Sequence, residues 1–324
     1  MSNDLKIPAK LQPVPTDYRF DLDQVLASVV TVKAKVPADA FTAGILGTER
    51  MGSGAVIADD GLVLTIGYLI TEAETIWLLT DGGDAVPGHV LGVDMETGFG
   101  LVQPLGKLVL PKLELGNSDA LGPGDDAVLA ACGGRKNAVA TQIVARQTFA
   151  GYWEYLLENA IFTAPAHPMW GGAALLDVTG RLVGVGSLIM QQADTGGRRL
   201  DRNMIVPTSL LPPILETMRR TGASGRAARP WLGCYIMEND DDELIIGGLA
   251  DNSPAERAGL LPGDEVVALN DQPVMELATL WRRLWTAGPP GTRVSVTVRR
   301  EGRLLGFICE TIDRARLLRM PSLH

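Results

Sequence analysis

The chain of 324 residues has room for about two domains, each with a sizeable apolar core. Apolar residues make up 46% of it and charged residues 21%, a balance that excludes wholesale disorder. The formal net charge of −9 argues against nucleic acid or an anionic membrane surface as a partner.

Three widely spaced cysteines, Cys132, Cys234 and Cys309, show no spacing typical of a disulfide framework or a metal site. We therefore expect reduced thiols, no metal and no cofactor. The first 20 residues contain no apolar stretch long enough for a signal peptide, and no run of about 18 apolar residues occurs anywhere. These features predict a cytoplasmic chain without a membrane span.

The predicted elements begin after a polar segment, residues 1–20, whose spaced prolines suggest a flexible N-terminal arm. A short helical pattern and a strand follow in FDLDQVLASVVTVKAKV. Up to about residue 206, short β-type runs then alternate with turns rich in Gly, Pro and Asp. Many short strands at this spacing predict an antiparallel barrel or sandwich rather than a βαβ sheet.

A helix is predicted to close this first domain, which spans residues 21–222. In the sequence VPTSLLPPILETMRRTG, Thr208 or Ser209 is the expected N-cap and Gly222 ends the helix. The stretch 223–229 is rich in Arg, Gly and Ala, and we interpret it as a linker.

A second domain is predicted over residues 230–313, followed by a tail at 314–324. Its short apolar runs predict five strands, LGCYIM, ELIIGGL, DEVVALN, RVSVTVRR and LLGFICETI. One helix is expected over 275–286, with one apolar face. The residues of that face recur at helical spacing and are Leu277, Leu280, Trp281 and Leu284.

Taken in this order, the segments resemble the HtrA family, trypsin-like serine proteases with a PDZ domain after the protease domain. The sequences ADDGLVLT and VLGVDMETGFGLV are similar to the family's first barrel, and AHPMWGGAALLDVTGRLVGVGS to its second. The sequences RPWLGCYI and DNSPAERAGLLPGDEVVALNDQPV are similar to its PDZ domain. The resemblance implies a mainly β chain, with a chymotrypsin/trypsin-like double antiparallel β-barrel followed by a PDZ domain, which is β-sandwich-like with helices.

The resemblance also marks where a catalytic triad would lie, with a serine that attacks, a histidine that takes its proton and an aspartate that orients the histidine. The family's histidine motif aligns with TIGYLI, its aspartate motif with DMETGFGLV and its serine motif with HPMWGGAALL. Tyr68, Gly98 and Gly171 then occupy the three positions, and Trp170 replaces the serine if the last motif is shifted by one residue. Neither register supplies a hydroxyl or thiol nucleophile, so no catalytic residue is predicted.

Two further features bear on catalysis. Met169 and Ala173 stand where the family has glycines of the oxyanion loop, which puts the oxyanion hole in doubt. A displaced Cys-His or Ser-His pair that uses Cys132 or His167 is the alternative, and a hydrogen-bonded structural role for His167 is the interpretation that we favour.

The PDZ domain keeps more of its family's pattern. Trp231, Leu232, Gly233 and Cys234 align with the loop that holds a peptide's C-terminal carboxylate, because glycine lets successive N–H groups point at one anion. The strand that begins at Tyr235 is expected to pair with an extended peptide.

Within that strand, Ile236 is included in the predicted peptide site, and Leu277 and Trp281 are expected to line the groove opposite it. An alternative is that Trp231 and Trp281 are core aromatic residues. The acidic stretch at 238–243 lies beside the groove and would disfavour acidic ligands.

The favoured hypothesis is therefore an HtrA-like pseudoprotease, a scaffold, chaperone-like or regulatory protein that recognises protein or peptide C-termini or extended peptides. One alternative is a serine-type endopeptidase with a rearranged site. Another is a structural oligomer subunit whose PDZ groove is closed by its own chain, for example by the tail. The resemblance further implies a homo-trimer, with Tyr18 and Phe20 in the corresponding contact segment.

Overall fold

The computed structural model describes residues 6–193 and 199–319. Part of the predicted arm, residues 1–5, and part of the predicted tail, residues 320–324 with His324, lie outside this description.

The described chain forms two compact units. The second unit consists of Thr148–Glu158 together with Arg226–Leu317. The first unit holds the described parts of Met1–Gln147, Asn159–Gly225 and Leu318–His324. The division differs from the predicted boundaries mainly in one place, because residues 148–158 group with the second unit.

Residues 6–20 are held more firmly than the predicted arm. Ile7 is only 3% exposed, and two single 3-10 turns form at Ala9–Leu11 and Pro15–Asp17. The ring of Phe20 lies so close to Gly180 that a Cβ atom there would be 2.8 Å away from it. Burial of a few apolar side chains therefore fixes a segment whose composition is mostly polar.

Six strands of the first unit close into an antiparallel barrel in the order β1-β2-β3-β6-β5-β4. Two short helices precede β2, namely α1 (Leu22–Leu26), which is capped by the Asp21 side chain, and α2 (Ala43–Leu46). The strands are β1 (Val29–Lys35), β2 (Glu49–Val56), β3 (Val63–Ile66), β4 (Thr75–Leu79), β5 (Ala85–Val93) and β6 (Phe99–Pro104).

Six more strands close a second barrel in the order β10-β11-β12-β9-β8-β7, which confirms the predicted double-barrel fold. They are β7 (Asp126–Ala130), β8 (Ala138–Gly151), β9 (Tyr155–Ala164), β10 (Ala174–Leu176), β11 (Leu182–Ala193) and β12 (Arg199–Pro207). The long strands β8 and β9 form a hairpin whose tip is the stretch 148–158 of the second unit.

Helix α3 (Pro212–Thr221) follows the second barrel and ends at Gly222, as predicted. Its predicted N-cap is wrong. Thr208 and Ser209 lie in a preceding 3-10 turn, and their hydroxyl groups donate to Leu182 O and to the Asp119 carboxylate. These tertiary hydrogen bonds compete with local capping, and the helix instead begins with proline at its first position.

The second unit is built on a sheet in the order β14-β15-β16-β18-β19, with β17 paired to β16 and a separate β13–β20 pair. Its strands are β13 (Pro230–Trp231), β14 (Cys234–Glu238), β15 (Leu244–Leu249), β16 (Glu265–Leu269), β17 (Gln272–Pro273), β18 (Arg293–Arg300), β19 (Arg303–Glu310) and β20 (Ile312–Asp313). Its two helices are α4 (Pro254–Ala258) and α5 (Leu277–Thr286).

The predicted helix of this unit is confirmed by α5, whose apolar face is buried in the core of the unit. The sequence analysis missed α4, which is only five residues long. Its signal was present, because Ser253 caps the amide of Glu256 three residues later. In the residues that the structure describes, no helix is both long and apolar enough to cross a membrane.

Candidate functional sites

The position aligned with the catalytic histidine lies in the 3-10 turn Gly67–Leu69, directly after β3. Tyr68 is half-buried, and its hydroxyl group donates to the carbonyl oxygen of Ser187 at 2.9 Å and interacts with the Trp170 side chain. Burial raises the pKa of Tyr68 well above its ordinary value near 10. A phenol with so high a pKa stays protonated near neutral pH and cannot act as a general base.

The position aligned with the serine lies beside this hydroxyl. A Cβ atom at Gly171 would be 2.8 Å from the hydroxyl oxygen of Tyr68, so the two positions are close enough for a nucleophile and its base. The backbone holds Gly171 in place, because its carbonyl oxygen accepts a hydrogen bond of 2.8 Å from the amide of Ser53. Neither glycine nor tyrosine can supply the chemistry that this proximity would allow.

The position aligned with the aspartate meets the same turn. The carbonyl oxygen of Gly98 accepts a hydrogen bond of 2.6 Å from the amide of Gly67, the residue before Tyr68. The structure thus brings Tyr68, Gly98 and Gly171 together in the first unit. The tyrosine contributes a phenol, and the two glycines contribute no side-chain functional group. Asp94, close by in sequence, is buried and accepts hydrogen bonds from the amide and hydroxyl group of Thr97.

The loop before β10 is closed by its own hydrogen bonds. An oxyanion hole here would use the N–H group two residues before the serine position, which is that of Met169. This N–H group instead donates to Nδ1 of His167 at 3.0 Å. Gly172 has φ of +74°, and a Cβ atom there would collide with the carbonyl oxygen of Ser53.

The displaced pair that used Cys132 or His167 gains no support from the geometry. His167 is fully buried, with Nε2 2.9 Å from the carbonyl oxygen of Asn137 and Nδ1 bonded to Met169. Burial also lowers its pKa, which favours the neutral ring. The Cys132 thiol lies 3.7 Å from the carbonyl oxygen of Leu79, and burial raises its pKa, so the reactive thiolate is disfavoured.

The second candidate site is the loop aligned with PDZ carboxylate binding. Gly233 has φ of +82°, and the amides of Leu232, Gly233 and Cys234 converge on one anion. That anion is the carboxylate of Glu154, which they reach at 3.1, 2.6 and 3.2 Å. Three amides of the predicted loop therefore share one carboxylate, which belongs to residue 154 of the same chain.

The adjoining strand is paired in the same way. The amide of Ile236, in β14, donates to the carbonyl oxygen of Tyr152 at 2.9 Å, and the ring of Tyr235 meets the ring of Tyr152 edge-on at 6.2 Å. From α5, the indole Nε1 of Trp281 donates to the carbonyl oxygen of Gly151 at 3.0 Å. Every one of these contacts lies within the second unit.

The other predicted groove residues belong largely to the core. Leu277 and Trp281 are 5% and 0% exposed and lie in one apolar cluster with Leu232 and Ile236. Trp231 is also buried and pairs with β20. The alternative of core aromatic residues therefore describes Trp231 and Trp281, although the indole N–H of Trp281 still faces the occupied groove.

Tyr152 and Glu154 were not among the predicted site residues. They stand about 80 positions before the loop that they contact, in the turn GYWEY, and no local pattern links the two stretches. One conformational feature does mark the turn, because Glu154 has φ of +60° without being glycine. In the described ranges, no group of three or more His, Cys, Asp or Glu is placed to hold a metal ion.

Two family models match the chain. The trypsin-like peptidase domain matches residues 52–185, and the PDZ domain matches residues 230–309. The second match includes residues 231–234, and the first includes all three triad-aligned positions.

Curated proteins of similar sequence are named as proteases. The putative protease Do-like 14 of Arabidopsis thaliana is 28% identical over 270 residues, which are 72% of this chain and 59% of that protein. A probable periplasmic serine endoprotease DegP-like of Chlamydia muridarum is 28% identical over 269 residues, 78% of this chain and 52% of its own length. The chain thus spans a little over half the length of these relatives.

Solved structures agree on the fold. The HtrA-type protease AlgW with a tripeptide has a TM-score of 0.53 at 21% identity, and the match covers 96% of this chain and 99% of AlgW. The same protease with a decapeptide gives a TM-score of 0.52. At this identity the likeness shows the fold alone.

These relatives overturn the predicted location. The proteins of Pseudomonas fulva and of two Chlamydia species that match this chain are named periplasmic, which points to an exported rather than a cytoplasmic protein. The prediction was wrong because it depended on the absence of a signal peptide in the sequence. The matched domains, their order and the fold agree, and the chain combines a trypsin-like peptidase domain with a following PDZ domain, the architecture of the HtrA-type proteases.

Proposed function

We propose that this protein is an HtrA-like pseudoprotease that binds peptides or protein C-termini through its PDZ domain and cleaves none. The observation that carries the proposal is the convergence of three backbone N–H groups, those of Leu232, Gly233 and Cys234, on a single carboxylate. A backbone nest of this kind holds the C-terminal carboxylate in strand-addition complexes. The amide of Ile236 stands where the next peptide carbonyl group would pair.

The absence of catalysis is supported by the residues around Tyr68. A protease of this fold needs a nucleophile with its base in hydrogen-bond contact, and Tyr68 beside Gly171 supplies neither. Removing one triad member leaves only about 10³–10⁴-fold acceleration over water, and here all three aligned positions lack their side chains. Trp170 interacts with the phenol in the same place.

One experiment tests both halves of the proposal. The purified chain is titrated with a library of peptides that carry a free C-terminal carboxylate, and each peptide is paired with its C-terminal amide as the matched control. We expect saturable binding of free acids and at least about tenfold weaker binding of amides, because the nest needs an anion. If no peptide with a free C-terminal carboxylate binds, the proposal that the PDZ domain recognises peptides is wrong.

The protease half is tested on the same preparation with casein and a serine-directed fluorophosphonate. We expect neither cleavage nor labelling. Cleavage that survives further purification would overturn the proposal. A Gly233 variant is unsuitable as a binding control, because a Cβ atom at that position would collide with the side chain of Ser253.

A serine-type endopeptidase with a rearranged site is the second candidate, and the names of the relatives favour it. On this hypothesis casein is cleaved, and Cys132→Ala abolishes cleavage if the thiol is the nucleophile. Cys132 suits this test better than His167, whose full burial would make its replacement a test of folding. Both candidate functions are compatible with an exported protein, the location indicated by the relatives that are named periplasmic.

The third candidate is a structural subunit with a closed PDZ groove, and the position of Glu154 favours it. The predicted closing segment was the tail. Its described end instead belongs to the first unit, where the amide of Arg319 donates to Glu72 at 3.0 Å. On this hypothesis no peptide binds, even when Glu154 is replaced.

A further inference from the structure

The tip of the β8–β9 hairpin imitates a bound peptide in the PDZ groove. The side-chain carboxylate of Glu154 takes the place of a terminal carboxylate and accepts hydrogen bonds from the amides of Leu232, Gly233 and Cys234. Two residues earlier, the carbonyl oxygen of Tyr152 accepts the amide hydrogen of Ile236. A terminal carboxylate with a paired carbonyl group two residues before it is the pattern of a peptide added to a sheet edge.

Side chains hold the tip at three further points. Trp281 donates its indole N–H to Gly151, and Ala150 packs against the apolar core of the unit. On the outer side, the guanidinium of Arg282 lies 2.7 Å from the carboxylate of Glu158, an exposed pair that adds little stability. The tip is thus bound mainly by the groove itself.

The docked conformation carries two costs. Glu154 adopts φ of +60°, a left-handed backbone that residues with side chains seldom take. Its carboxylate is also buried, which opposes ionisation and raises its pKa to about 7 despite the three N–H groups and nearby Arg314. A terminal carboxylate on a flexible peptide binds the same N–H groups without the backbone cost.

We propose that residues 151–154 are an internal ligand of the PDZ groove, displaced by peptides that carry a free C-terminal carboxylate and an aromatic residue two positions before the end. The inference rests on the proposed peptide-binding function and names the competitor for that site. The aromatic preference follows from Tyr152, whose ring meets Tyr235 edge-on at 6.2 Å. Peptide binding then frees the tip of the β8–β9 hairpin.

The probe is a hexapeptide with the sequence Phe-Ala-Gly-Tyr-Trp-Ala, which copies residues 149–153 and ends in a free carboxylate where Glu154 stands. Its C-terminal amide is the ligand control. Affinities are measured by calorimetry on the full chain, on Glu154→Ala and on Glu301→Ala. Glu301 is the matched protein control, because it too has a left-handed backbone, with φ of +50°, and it lies exposed in the β18–β19 turn.

Glu154→Ala removes the competing carboxyl group in both of its protonation states. We expect it to bind the free acid at least about tenfold more tightly than the wild type does, since an internal competitor lowers the apparent affinity in proportion to the fraction of molecules whose groove is open. Glu301→Ala should match the wild type. A second peptide with Ala in place of Tyr should bind both proteins more weakly.

The outcomes separate this inference from the function on which it rests. If the free acid binds wild type and Glu154→Ala equally, the internal-ligand inference is wrong and peptide binding stands. If it binds neither protein, peptide recognition itself fails. Hydrogen exchange of the wild type gives a check that needs no variant, because bound peptide should speed exchange in residues 148–158 and leave exchange in β18 unchanged.

Discussion

A carboxylate that accepts three backbone N–H bonds ordinarily keeps a low pKa, and Glu154 does not. Burial raises its pKa from the ordinary 4.5 to about 7, which outweighs the bonds from the loop and the attraction of Arg314. Cys234, Cys309 and Tyr235 interact electrostatically with Glu154, and the pKa of each of these is raised, so all three stay neutral around pH 7. Among these four groups, Glu154 is the one whose charge changes near neutrality.

The first prediction concerns pH. Because the docked carboxyl group holds its proton more tightly than it does in solution, its stabilising contribution is complete below about pH 4.5 and is lost as the pH rises through about 7. We therefore expect the affinity of the wild type for the free-acid hexapeptide to rise from pH 5 to pH 8. Calorimetry across this range should show no comparable rise for Glu154→Ala. An equal rise in both proteins would mean that another group titrates.

A second residue-scale prediction concerns the triad-aligned positions. A Cβ atom at Gly171 would be 2.8 Å from the Tyr68 hydroxyl oxygen, so Gly171→Ala should lower the free energy of unfolding by about 1–3 kcal/mol through overpacking. In a Tyr68→Phe background the clashing oxygen is gone, and the cost should fall by at least about 0.5 kcal/mol. Denaturant unfolding of the four proteins measures this coupling.

The matched control for that cycle is Tyr152→Phe, since Tyr152 is 45% exposed and belongs to the second unit, whereas Gly171 belongs to the first. Combined with Gly171→Ala it should give an additive result. Additivity in the Tyr68 cycle as well would contradict the contact between the two positions, and with it the alignment of both motifs.

At the scale of elements, the feature that matters is the hairpin formed by β8 and β9. Its tip lies against β14 and α5, and the indole N–H of Trp281 bonds to the carbonyl oxygen of Gly151 at 3.0 Å. Helical periodicity predicted α5 and its buried face, but a periodic pattern gives no information about which distant backbone the indole meets. Helix α4 was not predicted either. Its capping residue Ser253 was present in the sequence, but a helix of five residues is too short to show a periodic pattern.

The third prediction follows from this bond. Trp281→Phe keeps a large buried ring and leaves the Gly151 carbonyl oxygen without its donor, which should cost about 1 kcal/mol of stability. Hydrogen exchange in residues 148–158 should become faster, because the tip has lost one of its anchors. Trp285→Phe, on the same helix and only partly buried, should leave exchange in the tip unchanged. Unchanged exchange in Trp281→Phe would show that the tip does not depend on this bond.

For the whole molecule, the open question is assembly. A trimer is implied by resemblance only, and Tyr18 and Phe20 were its predicted contacts. In the single chain these rings pack against each other, with centroids 5.4 Å apart, and Phe20 also covers Gly180. Phe20 thus serves the fold of its own chain, and Tyr18 is only partly buried.

The fourth prediction tests the trimer. Light scattering of the eluted wild type should give about three times the chain mass of 34.5 kDa. Tyr18→Ala should shift the mass toward the monomer, and Tyr152→Ala, which removes another half-exposed tyrosine, should leave it unchanged. A wild type that elutes at the mass of one chain would end the trimer hypothesis.

Much of the architecture could be predicted from the sequence, because strand alternation and helical spacing are local properties of the chain. The short β-type runs predicted barrels, the i, i+3, i+4, i+7 spacing predicted α5, and Gly233 marked a backbone able to gather N–H groups. The order of the motifs along the chain also predicted the double barrel and the PDZ domain. The identities of Tyr68, Gly98 and Gly171 were also plain in the sequence, since a missing hydroxyl group or imidazole needs no coordinates.

Only the tertiary structure decided what fills the PDZ loop. Glu154 and Gly233 are 79 positions apart, and a bond between a side chain and a distant backbone amide leaves no periodic trace in the sequence. The same reason explains the wrong helix cap, where the hydroxyl groups of Thr208 and Ser209 bond to partners far along the chain. The sequence by itself determined which groups this protein has and which it lacks, and the fold alone determined that one of its own carboxylates lies against the loop for which we propose peptide binding.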